Sequence, residues 1–363
     1  MAYADTRFLT RRRALSARLA GQRIDAMLVT NLIHVRYLSG FSGSNAALVL
    51  AKDLTAEIAT DGRYRTQIAE EVPDIEAVIA RPCAEALLGR IEGPRRIGFE
   101  ADYVSVAQLE QLREACREDV TLVPVTGVIE DIRLRKDPVE RERLTEVAAL
   151  ACRAFEELLD AGELAVGRTE RDVAADLEYR MRLLGAERTS FDTIVASGPN
   201  SAKPHHSAGD RVIKGGDPVT IDFGAHARGF NSDMTRTVVM GEAGDFVREI
   251  YDVVLRAQLA GIAAATPGTP LVEVDRAARA IIEEAGYGEY FVHSTGHGIG
   301  LEVHEGPSAS RVGAGDLAED MTLTIEPGIY IPERGGVRIE DTLLITAGAP
   351  QIITPVGKEL RVV

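Results

Sequence analysis

The sequence predicts an α/β domain followed by a larger α+β domain. Up to about residue 125, short apolar runs alternate with helical patterns, whereas longer helices are followed by runs of strands after that point. Length supports two domains, because 363 residues exceed the roughly 100 to 200 residues of one typical domain. We place the boundary between residues 128 and 129, which gives domains of residues 1–128 and 129–363.

Five apolar runs predict the strands of the first domain, and three longer patterns predict its helices. Strands that are separated by helices favour a mixed or largely parallel sheet. The predicted strands cover residues 25–30, 46–51, 56–60, 95–100 and 120–125, and the predicted helices cover residues 9–22, 62–71 and 104–117.

A capping pattern predicts the first helix of the second domain. Asp137 suits the N-cap, Pro138 suits the first turn, and Glu140 has the spacing of a capping box. This helix is expected to run to about Leu159. Further helices are predicted over residues 169–185, 246–264 and 271–285.

Charge and cysteine content argue against several classes of protein. The formal net charge is -15, from 41 Lys and Arg against 56 Asp and Glu, so nucleic acid and anionic lipid are not expected partners. No apolar run approaches the ~18 residues of a membrane span, and the first residues lack the apolar core of a signal peptide. Three cysteines without CxxC spacing fit a reducing compartment. We therefore expect a cytoplasmic protein.

Residues 217–240, DPVTIDFGAHARGFNSDMTRTVVM, have the pattern of an antiparallel hairpin. Asp222 and Asp233 lie in opposite arms, so their carboxylates are expected on one face as cross-strand neighbours. Like charges that close repel each other unless a cation lies between them. For an isolated pair of this kind, a turn cap and a solvated side chain remain the simpler interpretation.

Later segments add histidines and acids to this pair. His293, His297 and His304 lie in one glycine-rich stretch, although the chain has only seven histidines. Glu326 ends an apolar strand pattern, and Glu340 is predicted inside another strand, where a buried acid needs an arginine or a metal as its partner. Four carboxylates with one imidazole suit divalent ions such as manganese, and two such ions can activate water for hydrolysis.

The segments TIDFGAHARGFNSDMTRT, HSTGHGIGLEVHE, TIEPGIY and GGVRIEDT resemble the M24 metallopeptidase family, which has the pita-bread fold of aminopeptidase P, prolidase and methionine aminopeptidase. The resemblance covers about residues 130–350. The first third of the chain resembles the creatinase-like N-terminal domain of aminopeptidase P and prolidase, which methionine aminopeptidases lack. The resemblance therefore implies an α+β fold with a C-terminal pita-bread catalytic domain and a smaller N-terminal α/β domain.

Position by position, the resemblance implies a site for two divalent metal ions, with manganese expected and cobalt, zinc or iron as alternatives. Catalytic roles follow for His205 and His304, which would stabilise charge on the substrate carbonyl, and for Glu326 as proton shuttle, while His206 is the alternative to His205. His293 would lie on the substrate side, and Arg338 would be a buried arginine that pairs with the ligand carboxylates; both are assigned to substrate binding. The implied metal ligands are Asp222, Asp233, His297, Glu326 and Glu340, with Asp233 and Glu340 bridging both ions.

The resemblance also implies a proline-containing peptide as substrate and a homodimer as the common assembly. Residues 31–50 carry Ser-Gly-Ser-Asn after Gly-Phe, which is similar to aminopeptidase P-like members, so we expect an Xaa-Pro aminopeptidase. An Xaa-Pro dipeptidase, or prolidase, is the alternative. A non-catalytic pita-bread binding protein and a creatinase-like hydrolase of another C–N bond are less expected, because all five metal-ligand positions are retained.

Overall fold

The computed structural model describes residues 6–93 and 95–363. Contacts divide the chain into two compact units, Met1–Arg133 and Leu134–Val363. The division between residues 128 and 129 remains a prediction about independent domains. Among the described residues, no helix combines the length and the apolar character that crossing a bilayer would require.

The first unit is built on a six-stranded mixed sheet with the order β4-β3-β2-β1-β5-β6. Helices pack on this sheet, and its buried apolar residues meet helix residues such as Leu87 and Leu112. The elements are α1 (Thr6–Gln22), β1 (Ala26–Val29), α2 (Leu32–Ser39), β2 (Ala46–Ala51), β3 (Ala56–Thr60), α3 (Arg65–Glu71), β4 (Glu76–Ile79), α4 (Cys83–Leu88), β5 (Arg95–Glu100), α5 (Val106–Ala115), β6 (Val120–Val125) and α6 (Val128–Arg133).

The mixed sheet and all five predicted strands of this unit are confirmed. Strand β1 pairs antiparallel with β2 and parallel with β5, while β4 adds a parallel edge that the sequence analysis missed. The short helices α2, α4 and α6 were also missed. Helix α2 begins after Asn31, whose side chain accepts from the Ile33 amide, and ends at Gly40 with φ of 87°. These local caps define a helix of only eight residues, too short to show a clear period.

The second unit has four long helices and several short sheets. The predicted helices are confirmed, and Asp137 and Glu140 form the predicted capping box. The elements are α7 (Pro138–Asp160), α8 (Glu170–Leu183), β7 (Arg188–Thr189), β8 (Ile194–Ser197), β9 (Pro218–Phe223), β10 (Ala225–Ala227), β11 (Phe230–Asn231), β12 (Met234–Val239), α9 (Asp245–Ala264), α10 (Leu271–Glu284), β13 (Gly296–Gly298), β14 (Glu305–Ala309), β15 (Thr322–Ile325), β16 (Gly328–Ile331), β17 (Gly335–Arg338), β18 (Asp341–Leu344) and β19 (Gln351–Ile352).

Two helix pairs cover the strands of the second unit. Helices α7 and α8 pack against the β12-β9-β8 sheet, where Phe155 stacks on Phe223 with ring centroids 5.2 Å apart. Helices α9 and α10 pack against strands β16 and β17, with Ile250 and Ile329 in their shared core. Each helix pair thus buries one face of the strands that carry the predicted acids.

Candidate active site

The predicted hairpin forms, but with an interruption at its tip. Strands β9 and β12 pair antiparallel, and Asp222 lies opposite Thr235. Asp233 precedes β12 by one residue, so it is a diagonal neighbour of Asp222 on the same face and not its direct partner. Between these arms, β10 and β11 form a separate small hairpin. The two carboxylates therefore share a face, as predicted, with a different register.

Glu326 and Glu340 lie at two breaks in one long hairpin. Strand β15 pairs with β18, and β16 pairs with β17, so both arms leave one sheet and enter another at these positions. The prediction that Glu340 lies inside a strand is therefore wrong. Its backbone amide donates to the Thr235 carbonyl at 3.1 Å, across to the neighbouring β12 strand. The breaks release both glutamates from regular alternation and direct them to the same place.

His297 is held on β13 between close-packed strands. A Cβ atom at Gly296 would lie 1.7 Å from the Thr324 carbonyl oxygen, and one at Gly298 would lie 1.9 Å from the Gly306 carbonyl oxygen. Glycine is therefore required on both sides of this histidine. The His297 ring donates from Nδ1 to the Gly298 carbonyl at 3.0 Å, because a carbonyl oxygen can only accept.

The unprotonated Nε2 of His297 faces carboxylate oxygens. It lies 3.7 Å from Asp233 Oδ2 and 3.4 Å from Glu326 Oε1. Burial lowers the pKa of His297, so the ring is neutral at pH 7. Ligand atoms of Asp233, His297 and Glu340 all lie within 4.8 Å of one another. The unprotonated nitrogen and the carboxylate oxygens all direct lone pairs into the space between them, and this space suits a cation.

The carboxylates of this cluster are buried with fewer hydrogen-bond donors than their oxygens could accept. Asp222 Oδ1 and Glu340 Oε1 are buried and accept no hydrogen bond from the described residues. Burial, together with repulsion from neighbouring carboxylates, raises the pKa of Asp233 and Glu340 well above the ordinary range. Burial also raises the pKa of Glu326 to about 8. Such groups are costly to bury as anions unless a cation joins them, so the residues present fit a divalent metal centre.

Arg338 is the one cation that donates to a carboxylate of this cluster among the described residues. Its Nη2 donates to Asp222 Oδ2 at 2.7 Å, its Nη1 to the Tyr330 hydroxyl at 2.8 Å, and its Nε to the Thr235 hydroxyl at 3.1 Å. Burial opposes the charge of Arg338, but Tyr330 and Asp222 raise its pKa well above the ordinary value. Every guanidinium nitrogen therefore has a protein partner, and Arg338 orients Asp222. Its predicted role in substrate binding remains a prediction.

The three histidines beyond the cluster differ in their partners. His293 donates from Nδ1 to the Ser294 carbonyl at 2.8 Å, and its Nε2 lies 2.9 Å from the Tyr330 hydroxyl. Burial lowers the pKa of His293 to about 4 and also lowers the pKa of His304, so both rings are neutral at pH 7. The His304 ring lies against His297, with centroids 4.4 Å apart. His205 is exposed and has no hydrogen bond among the described residues.

One cavity of about 390 Å³ contains all of the predicted site residues on its wall. Both His205 and His206 line it, but His206 is bound to Glu170, which leaves His205 as the free imidazole. The lining residues are Phe191, Asp192, Ile194, Pro204, His205, His206, Ser207, Asp222, Asp233, His293, Ser294, His297, His304, Glu326, Arg338 and Glu340.

Phe191 and Asp192 are site residues that the sequence analysis missed. Thr189 at the end of β7 lies opposite Ala225, and Ile194 at the start of β8 lies opposite Asp222. Four residues therefore connect β7 to β8, whereas two residues separate Asp222 from Ala225 on the facing chain, and Phe191 and Asp192 from the longer connection lie on the cavity wall. The local sequence has no spacing or composition that reports this longer connection, since it is defined only by the partner strands.

Comparison with known proteins agrees with this geometry. Residues 142–347 match the model of metallopeptidase family M24, and residues 11–135 match that of the creatinase/prolidase N-terminal domain. The chain is 39% identical over 337 residues to an Xaa-Pro dipeptidase of Pyrococcus furiosus, covering 93% of this chain and 95% of that protein.

Solved structures extend the similarity to both units. An Xaa-Pro dipeptidase from Bacillus anthracis has a TM-score of 0.94 and 38% identity, covering 98% of this chain and 100% of that chain. An X-Pro aminopeptidase from Thermotoga maritima MSB8 has a TM-score of 0.87 and 36% identity, covering 97% and 99%. The predicted pita-bread and creatinase-like folds are therefore confirmed. This chain belongs to metallopeptidase family M24 and carries a creatinase/prolidase N-terminal domain.

Proposed function

We propose that this metallopeptidase is an Xaa-Pro dipeptidase, a prolidase that hydrolyses the bond between an N-terminal residue and a C-terminal proline. The observation that carries the proposal is the set of carboxylates that lack donors and converge with the bare Nε2 of His297 at one cavity. His304, a neutral histidine on the wall of the same cavity, can supply a donor for a peptide substrate.

The family implies a divalent metal centre, and the cluster of Asp233, His297 and Glu340 fits a divalent ion. The number of ions that we propose, two, is the number that the resemblance implies. When bound, such ions make water nucleophilic at neutral pH and polarise the substrate carbonyl. Oxygen-rich ligands with one imidazole favour manganese, and cobalt, zinc or iron are accepted by the same set. The residues that would hold the ions are Asp222, Asp233, His297, Glu326 and Glu340.

Glu326 and two histidines carry the remaining steps of the proposed mechanism. Glu326 accepts a proton from the attacking water and returns it to the proline nitrogen, which must become an amine to leave. The Thr324 hydroxyl lies 3.3 Å from Glu326 Oε1 and helps to orient the carboxyl. His304 and His205 donate hydrogen bonds to the carbonyl oxygen as negative charge develops there.

An Xaa-Pro bond requires a dedicated site because the proline nitrogen has no hydrogen to donate and its ring fixes φ. The choice between dipeptide and longer substrates rests on the relatives. The expectation of an aminopeptidase rested on the segment around Ser42, Ser44 and Asn45. In the structure these residues bond within their own unit, with Ser42 to Glu71 and Asn45 to Asp61, both at 2.7 Å.

The dipeptidase proposal is therefore better supported than the aminopeptidase that we expected from the sequence. Relatives named Xaa-Pro dipeptidases share 38% to 39% identity across nearly the whole chain. The X-Pro aminopeptidase of Thermotoga maritima, at 36% identity, supports an Xaa-Pro aminopeptidase as the second candidate function. A cytoplasmic location, which we expected from the sequence composition, and a homodimer, which the resemblance implies, remain proposals.

Hydrolysis of an Xaa-Pro dipeptide beside an Xaa-Pro-Xaa tripeptide tests the proposal directly. The protein is stripped of metal with a chelator, reloaded with Mn²⁺, and compared with Asp233→Asn treated in the same way. Cleavage of the dipeptide alone supports a prolidase, and cleavage of the tripeptide supports an aminopeptidase. Inactivity on both, with metal bound in full, would reject an Xaa-Pro peptidase and favour another C–N substrate.

A further inference from the structure

A buried carboxylate that the proposed mechanism does not use anchors the loop that carries His205. Glu170 is the first residue of α8 and is 0% exposed. It accepts hydrogen bonds from the Ser197 amide at 2.8 Å and the Ser197 hydroxyl at 2.7 Å, where β8 ends. Asn200 Nδ2 donates to it at 3.0 Å from the following 3₁₀ turn, and His206 Nε2 donates at 2.7 Å. One carboxylate thus binds both ends of residues 197–206.

His205 depends on this anchoring because its own ring has no hydrogen bond among residues 6–93 and 95–363. The chain on either side is held instead. His206 is bound to Glu170, and the Pro204 carbonyl accepts from Arg338 Nη1 at 3.4 Å. Since peptide units are rigid, fixing both neighbours restricts where the His205 side chain can point. It lines the cavity together with His304. Burial and His297 are the larger causes that lower the pKa of His304, and His205 is close enough to lower this pKa further.

Glu170 is suited to this role by its charge state. Ser197, Asn200 and His206 all donate to it, and a carboxylate is an acceptor on both oxygens. These bonds outweigh the effect of burial and lower the pKa of Glu170, which keeps it ionised. A glutamine would have one acceptor oxygen and would turn an NH₂ group toward donors. Arg211 also stabilises this arrangement, because its Nη1 donates at 2.5 Å to the Ser197 hydroxyl that binds Glu170.

We propose that Glu170 is a positioning residue for the reaction, which acts through His206 and Ser197 to hold the His205 imidazole toward the substrate carbonyl. This inference rests on the proposed function, because His205 has a catalytic role only if a peptide binds in the cavity. The Glu170 carboxylate itself is fully buried, is not among the residues that line the cavity, and has no hydrogen bond to a proposed metal ligand among the described residues.

Kinetics of Glu170→Gln with Mn²⁺ and an Xaa-Pro dipeptide provide the first test. We expect kcat to fall on the order of 10-fold to 100-fold, as for other residues that orient active-site groups through hydrogen bonds. KM and the metal content per chain should change little. The matched control is Asp172→Asn, which removes the capping-box acid at the start of the same helix without touching the loop, and it should keep the wild-type kcat.

A double-mutant cycle separates positioning from a general loss of structure. If Glu170 acts through His205, Glu170→Gln should lower kcat by less than about 2-fold in a His205→Ala background, because interacting residues are not additive. A full additional loss in that background would overturn the proposal. If Glu170→Gln does not fold, His206→Ala replaces it in the cycle. His206→Gln retains a donor for Glu170 and should recover much of the kcat that His206→Ala loses.

Hydrogen exchange in the metal-free protein tests the anchoring role of Glu170 separately from the proposed peptidase function. Amides of residues 198–209 should exchange faster in Glu170→Gln than in the wild type, with no change in Asp172→Asn. Faster exchange in a protein that hydrolyses neither peptide would reject the peptidase function while supporting the loop anchor. Unchanged exchange together with unchanged kcat would overturn the anchor and leave the peptidase function standing.

Discussion

Glu340 and Asp341 are adjacent and almost completely buried, at 1% and 0% exposed, yet the protein treats their charges differently. Asp341 is surrounded by donors that include two cations. Its Oδ1 accepts from Arg236 Nη2 at 2.7 Å, while its Oδ2 accepts from Gln258 Nε2 at 2.8 Å and from Lys358 Nζ at 2.7 Å. This carboxylate is compensated entirely by the chain itself.

Glu340 has only one protein donor for its two oxygens among the described residues. The Thr235 hydroxyl donates to Oε2 at 2.8 Å, while Oε1 accepts nothing. Burial and the nearby carboxylates of Glu326 and Asp222 raise its pKa well above the ordinary range. At equal burial, the cationic partners therefore distinguish the two acids. An acid that has its own cations stabilises the fold, whereas an acid that lacks them is suited to bind a cation from outside.

Replacing Glu340 should produce the largest effect on peptide hydrolysis. A small effect would contradict the contrast between Glu340 and Asp341. We expect Glu340→Gln to abolish peptide hydrolysis and to reduce bound metal, because a shared ligand of both proposed ions loses its charge. The metal-free variant should be no less stable than the metal-free wild type, since a carboxyl group that is costly to ionise in this buried position is replaced by a neutral amide. Metal analysis, peptide hydrolysis and chemical denaturation measure these three outcomes. Full activity with full metal content would disprove the assignment.

Replacing Asp341 should produce the opposite pattern. Asp341→Asn leaves Arg236 and Lys358 without their buried anion, so we expect a loss of about 3 kcal/mol in the free energy of unfolding. Urea denaturation of the metal-free proteins measures this loss, with Glu340→Gln as the matched control at the next position. A stability equal to that of the wild type would show that the ion pairs around Asp341 contribute nothing net.

His205→Ala sharpens the comparison by testing a cavity residue that lies outside the acid cluster. We expect kcat to fall by roughly 10²-fold, the effect of removing one donor to a developing oxyanion. Metal content should stay near that of the wild type, because this histidine is not among the proposed ligands. Elemental analysis beside steady-state kinetics makes the measurement. Loss of metal would instead identify His205 as a ligand.

The smallest expected effect is a dependence of metal-free stability on pH. Burial raises the pKa of Glu326 to about 8, so its folded-state value exceeds the ordinary 4.5. The protonated carboxyl therefore stabilises the fold fully below that ordinary value, and this contribution is lost as the pH rises toward 8. Tm of the chelated protein should fall over this interval less steeply in Glu326→Gln than in the wild type.

Mn²⁺ provides the companion measurement for the same groups. Metal binding requires deprotonated ligands, so added Mn²⁺ should raise Tm more at about pH 8 than at about pH 5. Asp341→Asn serves as a control, because Asp341 is not a proposed ligand and its replacement should leave the dependence of the Mn²⁺ effect on pH in place. An equal increase in Tm at both pH values would contradict the raised pKa values of the cluster.

Much of the fold was predictable from the sequence because it depends on local patterns. Capping residues such as Asp137 with Glu140 define a helix start, and apolar runs define buried strands, without reference to distant residues. The family resemblance also located the nine predicted site residues, all of which line one cavity. Short elements such as α2 and β4 escaped because eight helical residues or four strand residues show no reliable period.

The details of the site depended on partners that are distant in sequence. The sequence determined which acids and histidines are present, but only the tertiary structure decided that Glu340 lies at a sheet break and that Phe191 and Asp192 lie on the cavity wall between β7 and β8. It also decided which ligand carboxylate Arg338 pairs with, namely Asp222, and that Glu170 holds the loop of His205. The physical reason is that strand register, hydrogen-bond partners and burial are properties of pairs of segments, whereas a sequence pattern reports one segment at a time.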